Sequence, residues 1–166
     1  MNEQDIKQIV ETVLTNGKPK EHKCTCVKNI TLDYANALIE KVKAKAKEMG
    51  LSVVVAVSDS AGHIVSVQSM DDAYIASYDV AVNKTFTSVS LKMSTDELSR
   101  LSGPGQPLYG IQNTNQGKIV IFGGGEPLMV KGKIIGALGV SGGSAAQDTA
   151  LAAYGKDILE EVIKCQ

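Results

Sequence analysis

The spacing of apolar residues divides the chain into a short N-terminal helix and a larger folded region. Five large aliphatic residues recur at helical intervals near the N-terminus: Ile6, Ile9, Val10, Val13 and Leu14. This spacing predicts an amphipathic helix over residues 1–17 with one apolar face. Residues 18–29 are polar and contain a proline, so they are predicted to form a linker. A lone helix of this length is marginal in water, so its apolar face must be buried on its own domain or on a partner.

Residues 30–166 are predicted to form one α+β domain. Apolar runs predict five strands, over residues 52–58, 63–69, 118–122, 127–130 and 133–140. Helical spacing predicts four helices, over residues 32–49, over 75–91, from residue 95, and from residue 145 to about 163. Candidate N-caps precede three of these helices, at Thr31, Ser94 and Ser144. Because the strands are grouped and joined by short turns, we expect an antiparallel five-stranded sheet with helices packed on it.

The composition excludes several classes of protein. The 166 residues include 17 basic and 18 acidic side chains, and this balance argues against a dedicated nucleic-acid binder. No apolar stretch is long enough to span a bilayer, and the N-terminus lacks the pattern of a signal peptide. Three cysteines, Cys24, Cys26 and Cys165, are typical of a reducing compartment and not of a disulfide scaffold. We therefore expect a cytoplasmic protein.

Two glycine clusters, at residues 123–125 and 142–143, are candidate ligand-binding loops. Glycine allows a ligand to approach the backbone closely. The second cluster leads into a predicted helix N-terminus, where free amides favour a carboxylate or phosphate. Neither cluster has the spacing of a nucleotide-binding loop. The alternative is that these glycines only form turns and bulges.

The chain has two histidines, and neither lies in a recognisable metal or catalytic motif. His63 follows a turn at the start of a strand, where a histidine is commonly only a polar strand-end residue. His22 lies beside Cys24 and Cys26, but the spacing of these cysteines differs from that of zinc ribbons. A resident metal ion is therefore not predicted there. No serine has the context of a hydrolase nucleophile, so no catalytic residue is predicted.

Several ordered segments resemble a known family. They are residues 57–63, 70–73, 83–87, 123–128, 135–143 and 147–148. Across about residues 30–163 the chain resembles the GlcG/HbpS-like family of haem-degrading domains, which includes the C-terminal domain of PduO-type proteins. The resemblance implies a profilin-like fold, homo-oligomers, and binding of haem or a related tetrapyrrole. The adenosyltransferase half of PduO is missing, so corrinoid adenosylation by this chain alone is not expected.

A haem site needs an axial donor and cations or amides for the propionates. On the resemblance, His63 is the candidate axial donor and iron ligand, and Lys84 or Arg100 is a candidate cation. The predicted cofactor-binding set is His63, Lys84, Gly124, Gly125, Glu126, Gly142 and Gly143. With five Tyr, two Phe and no Trp, an enclosed aromatic pocket is not expected. A shallow site, such as one at a subunit interface, is easier to form.

The N-terminal helix also resembles the peptides that target cargo enzymes into bacterial microcompartments. This resemblance implies that residues 1–17 bind a shell or cargo protein of a propanediol-utilising compartment. Three function hypotheses follow. The first is a binding module for haem, or alternatively a corrinoid, in cofactor supply or redox maintenance. The second is an enzyme whose glycine loops bind a carboxylate or oxyanion, and the third is an oligomeric structural adaptor. A binding protein is preferred to an enzyme.

Overall fold

The protein is described by a computed structural model that covers residues 28–164. The predicted N-terminal helix, residues 18–27 of the predicted linker, and all three cysteines lie outside the described residues. Within residues 28–164, no helix is long and apolar enough to cross a membrane.

The described residues contain five α-helices and four strands. In chain order they are α1 (Leu32–Glu48), β1 (Val54–Asp59), β2 (Ile64–Ser69), α2 (Ser77–Leu91), α3 (Thr95–Ser102), β3 (Gly125–Val130), β4 (Lys133–Ser141), α4 (Ala145–Asp157) and α5 (Leu159–Lys164). Two short 3₁₀ turns, Ile111–Asn113 and Asn115–Gly117, lie between α3 and β3.

The strands form one antiparallel sheet in the order β2-β1-β4-β3. Alternate residues of β1 point to opposite faces, as the period of a strand requires. Val55 and Val57 belong to the main core, where α1, α4 and α5 pack. Val54 and Ala56 pack instead with Ala81 of α2 on the other face. The sheet therefore lies between two layers of helices, and the α+β class with an antiparallel sheet is confirmed.

The prediction of a fifth strand over residues 118–122 is wrong. Thr87 of α2 accepts a hydrogen bond from the Val120 amide at 3.0 Å, and its hydroxyl lies 3.3 Å from the Lys118 carbonyl oxygen. Ile119 and Val120 are buried, which accounts for the apolar pattern. Because a helix side chain contacts this backbone, the segment lies against α2 and not along the sheet.

The three predicted helix caps are confirmed. The side chain of Thr31 accepts from the Tyr34 amide, and that of Ser94 accepts from the Glu97 amide. Ser144 and Gln147 form a capping box at the start of α4. The final helix is divided, however, because α4 ends at Asp157 and α5 begins at Leu159.

The buried face of α2 differs from the face that its apolar residues suggest. Helical spacing makes five aliphatic or aromatic side chains available for burial in this segment: Ala76, Val80, Val82, Phe86 and Val89. The buried side chains are instead small or polar, and they are Ser77, Ala81, Lys84, Thr85, Thr87 and Ser88. A Cβ added at Gly139 of β4 would overlap the Ala81 carbonyl oxygen, so the helix backbone lies very close to the strand. Small residues are needed at such a contact.

Candidate functional site

A buried polar cluster lies where α2, β4 and α4 meet. The Lys84 ammonium donates to the Val140 carbonyl oxygen at 2.6 Å and to Asp148 Oδ2 at 2.9 Å. The Lys84 and Asp148 side chains are only 0% and 4% exposed. Burial lowers the pKa of Lys84, and the charge and hydrogen bond of Asp148 oppose this shift in part. Lys84 therefore connects three elements of the fold through one ammonium.

Phe122 lies beside this cluster, and its ring centroid is 5.0 Å from Lys84 Nζ. The ring also lines a shallow cavity of about 360 Å³. The other lining residues are small or polar: Asp96, Ser99, Gly123, Ala145, Ala146 and Thr149. None of them is a common ligand of haem iron, so the cavity offers no axial donor.

The predicted glycines surround the same cluster. The Gly125 amide donates to Thr95 Oγ1 at 2.8 Å, and the Gly143 amide donates to Asp148 Oδ1 at 2.9 Å. Gly124 has φ +114°, and a Cβ added there would lie 2.6 Å from Lys84 Nζ. Gly142 also has a positive φ, and a Cβ added there would crowd the Ser52 carbonyl. These glycines permit close packing around the lysine.

Glu126 also has its contacts within the chain, since its carboxylate lies 2.9 Å from Lys156 Nζ. The structure thus brings together Lys84, Gly124, Gly125 and Gly143, and the donors of Lys84, Gly125 and Gly143 are bound by neighbouring groups of the protein. The start of α4 is capped by its own Ser144 and Gln147. The hypothesis that these loops cradle a carboxylate or oxyanion is therefore not favoured by the geometry.

A second polar group lies at the end of the β1–β2 hairpin. Asp59 Oδ1 accepts hydrogen bonds from the amides of Ala61 and His63, both at 2.9 Å. Asp59 Oδ2 lies 3.4 Å from His63 Nδ1, and the His63 side chain is 81% exposed. Gly62 has φ +83°, which the tight turn requires. The hairpin turn therefore places one carboxylate against one ring nitrogen of an exposed histidine.

The electrostatics of this pair leave the other histidine nitrogen available. Partial burial acts to raise the pKa of Asp59, but hydrogen bonds from the amides of His63 and Ala61 outweigh it and lower that pKa. A carboxylate beside Nδ1 favours the tautomer that carries its proton there. The lone pair of Nε2 then faces outward and can bind a metal.

Two residues from distant parts of the sequence complete this end of the molecule. A Cβ added at Gly62 would lie 3.5 Å from Phe86 Cδ2, so the Phe86 ring lies against the hairpin turn. Lys118 Nζ lies 5.7 Å from the centroid of the same ring. We call Asp59, His63, Phe86 and Lys118 the hairpin site. Phe86 and Lys118 were assigned only to secondary structure, because no local pattern connects residues 63, 86 and 118.

The hairpin site and the buried polar cluster lie towards opposite ends of β1. Val54 pairs with Ser141, next to the second glycine cluster, whereas Asp59 pairs with Gly136. Five residues of strand correspond to about 16 Å. His63 is therefore not brought together with Lys84 and the glycines. Arg100, the other candidate cation, is paired with Asp96 on α3. Within residues 28–164, no group of three or more His, Cys, Asp or Glu side chains could hold a metal ion.

Comparison with known proteins connects the chain to haem proteins. A family model described as haem degrading protein HbpS-like matches residues 30–157. A 15.0 kDa protein from the dhaT–dhaS intergenic region of Citrobacter freundii is 44% identical over 136 residues, which cover 82% of this chain and 96% of that protein. A crystal structure of a PduOC–haem complex is 36% identical with a TM-score of 0.75, and the match covers 78% of this chain and 94% of that one.

A second relative is longer than the chain. The corrinoid adenosyltransferase PduO of Salmonella typhimurium is 35% identical over 147 residues, which are 89% of this chain. The match covers only 44% of PduO. The chain thus corresponds to less than half of that enzyme.

Proposed function

The chain belongs to the HbpS-like family, and from that premise we propose that it is a haem-binding module that acts in cofactor supply or redox maintenance. The observation that carries the proposal is its similarity, at 36% identity, to a protein whose structure holds haem. Bound haem would supply a redox-active iron. A corrinoid is the alternative ligand, because PduO is a corrinoid adenosyltransferase.

We place the iron ligand at His63. The side chain is 81% exposed, and Asp59 lies against Nδ1, which leaves Nε2 free to bind iron. Lys84, Gly125, Glu126 and Gly143 have partners within the chain, so we assign to them support of the fold and not direct contact with haem. The residues at the hairpin site fit a shallow surface site and not an enclosed pocket.

Haemin titration of the full chain tests both parts of the proposal. We expect the Soret band of haemin to shift and saturate with wild-type protein. His63→Ala should weaken binding by more than about tenfold and change the band position. The chain has one other histidine, so His22→Ala is the matched control and should leave the titration unchanged.

The outcomes separate two errors. No Soret shift with the wild type would overturn haem binding, and a parallel titration with hydroxocobalamin would then test the corrinoid alternative. A shift that survives His63→Ala but is lost in His22→Ala would retain haem binding and overturn the assignment of the iron ligand.

We further propose that residues 1–17 direct the chain to a microcompartment that processes propanediol. The support is the apolar face in the sequence and the similarity to PduO, which implies a propanediol-utilising setting. A fluorescent fusion of the full chain should co-localise with shell protein. Ile9→Glu/Val13→Glu, which interrupts the apolar face without shortening the chain, should spread the fusion through the cell. Unchanged co-localisation of this variant would refute the targeting role.

A further inference from the structure

We propose that Lys118, held over the Phe86 ring, binds a propionate carboxylate of the tetrapyrrole at the hairpin site. This inference rests on the proposed function, because it assigns a partner to a ligand that His63 would hold. Its own evidence is the position of Lys118, which no local sequence pattern predicts.

The backbone around Lys118 is fixed against α2. Thr87 lies beside Phe86 in the helix, and its hydroxyl contacts the Lys118 carbonyl oxygen and accepts from the Val120 amide. The two residues that follow Lys118 are buried. The segment therefore lies along the helix, which places the Lys118 side chain over the neighbouring Phe86 ring, with Nζ 5.7 Å from the ring centroid.

The ammonium of Lys118 lacks an acidic partner among the described residues. Six other lysines among residues 28–164 pair with a carboxylate, such as Lys156 with Glu126. Lys118 is exposed, and its ring contact leaves the ammonium donors free for a carboxylate. A cation over an aromatic ring gains a modest electrostatic attraction from the ring.

The same ring connects Lys118 to the proposed iron ligand. Phe86 Cδ2 lies 3.5 Å from the position of a Cβ at Gly62, and His63 is the next residue. The hairpin site therefore presents an imidazole, an apolar ring and a cation in neighbouring positions. A tetrapyrrole with acidic side chains requires these three types of contact. A small inorganic anion would need only the cation.

Two probes test this assignment: haemin and haemin dimethyl ester, in which both propionates are uncharged. Lys118→Glu should weaken haemin binding by about tenfold, and Lys118→Gln by about fivefold, while Lys118→Arg stays close to wild type. The ester should bind wild type and Lys118→Gln equally well. Lys47→Glu, an equal charge reversal at an exposed position of α1 on the other face of the sheet, is the matched control and should change haemin affinity little.

Failure of this inference differs from failure of the proposed function. If wild type binds haemin through His63, but Lys118→Glu and Lys47→Glu have equal effects, Lys118 does not bind a propionate. The same conclusion follows if Lys118→Gln weakens the ester as much as haemin. If wild type does not shift the Soret band, haem binding itself fails.

Discussion

The buried polar cluster and the hairpin site each place a basic side chain against an aspartate, but they differ in exposure. In the cluster, the Lys84 and Asp148 side chains are almost completely buried. At the hairpin site, His63 is 81% exposed and Asp59 is 24% exposed. The lysine ammonium has protein acceptors on two elements, whereas the histidine contacts Asp59 through one ring nitrogen only.

This difference indicates which pair supports the fold and which can bind a ligand. A buried charge must be paired because an unpaired charge inside a protein is very costly. Lys84 is therefore the partner that the buried Asp148 carboxylate requires at the junction of α2, β4 and α4. An exposed imidazole with one nitrogen held by a carboxylate has the arrangement found in metal-binding histidines. The following predictions test this division of roles, in order of decreasing effect.

Removal of the buried Lys84 ammonium should cause the largest loss of stability. We expect Lys84→Met to lower the free energy of unfolding by about 4 kcal/mol, because it leaves the Asp148 carboxylate buried without its partner. Urea denaturation measures this change. The control is Lys164→Met, which removes an exposed ion pair with Glu160 and should cost less than about 0.5 kcal/mol.

The double variant Lys84→Met/Asp148→Leu sharpens the test. With both charges removed, much of the lost stability should return. Where the Lys84 variants fold, their haemin affinity should match that of wild type. A selective loss of haemin affinity would place Lys84 in the ligand site and contradict the division of roles.

The packing of α2 on the sheet should be the next most sensitive feature. Gly139→Ala introduces a Cβ that overlaps the Ala81 carbonyl oxygen, so α2 must move outward. We expect a loss of about 3 kcal/mol in the free energy of unfolding, measured by urea denaturation. Gly103→Ala is the control, since a Cβ there has its nearest neighbour at 3.9 Å and φ is −67°. Equal stability of the two variants would refute the close contact.

Features encoded by neighbouring residues could be predicted from the sequence. The turn at Asp59–Gly62, the hairpin at Lys131–Gly132 and the cap at Ser144 each depend on a few adjacent residues. The same holds for the α+β class, which follows from grouped strands and short turns. These elements lie where the sequence places them, within a few residues.

Features that depend on distant residues could not be predicted. A lysine is usually exposed, so the sequence does not indicate that Lys84 is buried. Its partner Asp148 is 64 residues away in the sequence. Residues 118–122 have the apolar content of a strand, but the Thr87 hydroxyl bonds their backbone. The predicted cofactor-binding residues likewise do not form one site. Only the strand register shows that His63 and the glycines lie towards opposite ends of β1.

At the hairpin site, removal of the Asp59 charge should lower haemin affinity moderately and change the stability of the fold little. Asp59→Asn keeps an oxygen for the amides of Ala61 and His63 but removes the charge beside His63 Nδ1. We expect haemin affinity to fall about tenfold, measured by Soret titration, while the free energy of unfolding changes little. Asp157→Asn, an exposed charge removal on α4, should leave haemin affinity unchanged. If the two variants bind haemin equally well, the Asp59 carboxylate does not orient His63 for iron binding.

The smallest expected effect is a pH dependence of stability that arises from Lys84 in the buried polar cluster. Burial lowers the pKa of Lys84 in the folded state below its ordinary value of 10.5, although the facing Asp148 opposes the shift. Between the lowered pKa and 10.5 the unfolded chain therefore holds more protons than the folded chain, so the free energy of unfolding rises with pH. The Lys84→Met variant has no ammonium at this position, so its free energy of unfolding lacks this rise with pH. The stability difference between wild type and Lys84→Met should consequently widen from neutral pH to about pH 10, measured by urea denaturation at each pH. If the difference narrows, the Asp148 carboxylate outweighs burial and the folded pKa of Lys84 is raised. The charges of the buried pair would then stabilise the folded state. The buried pair and the exposed Asp59–His63 pair would in that case differ in their access to solvent, and not in whether their charges stabilise the fold.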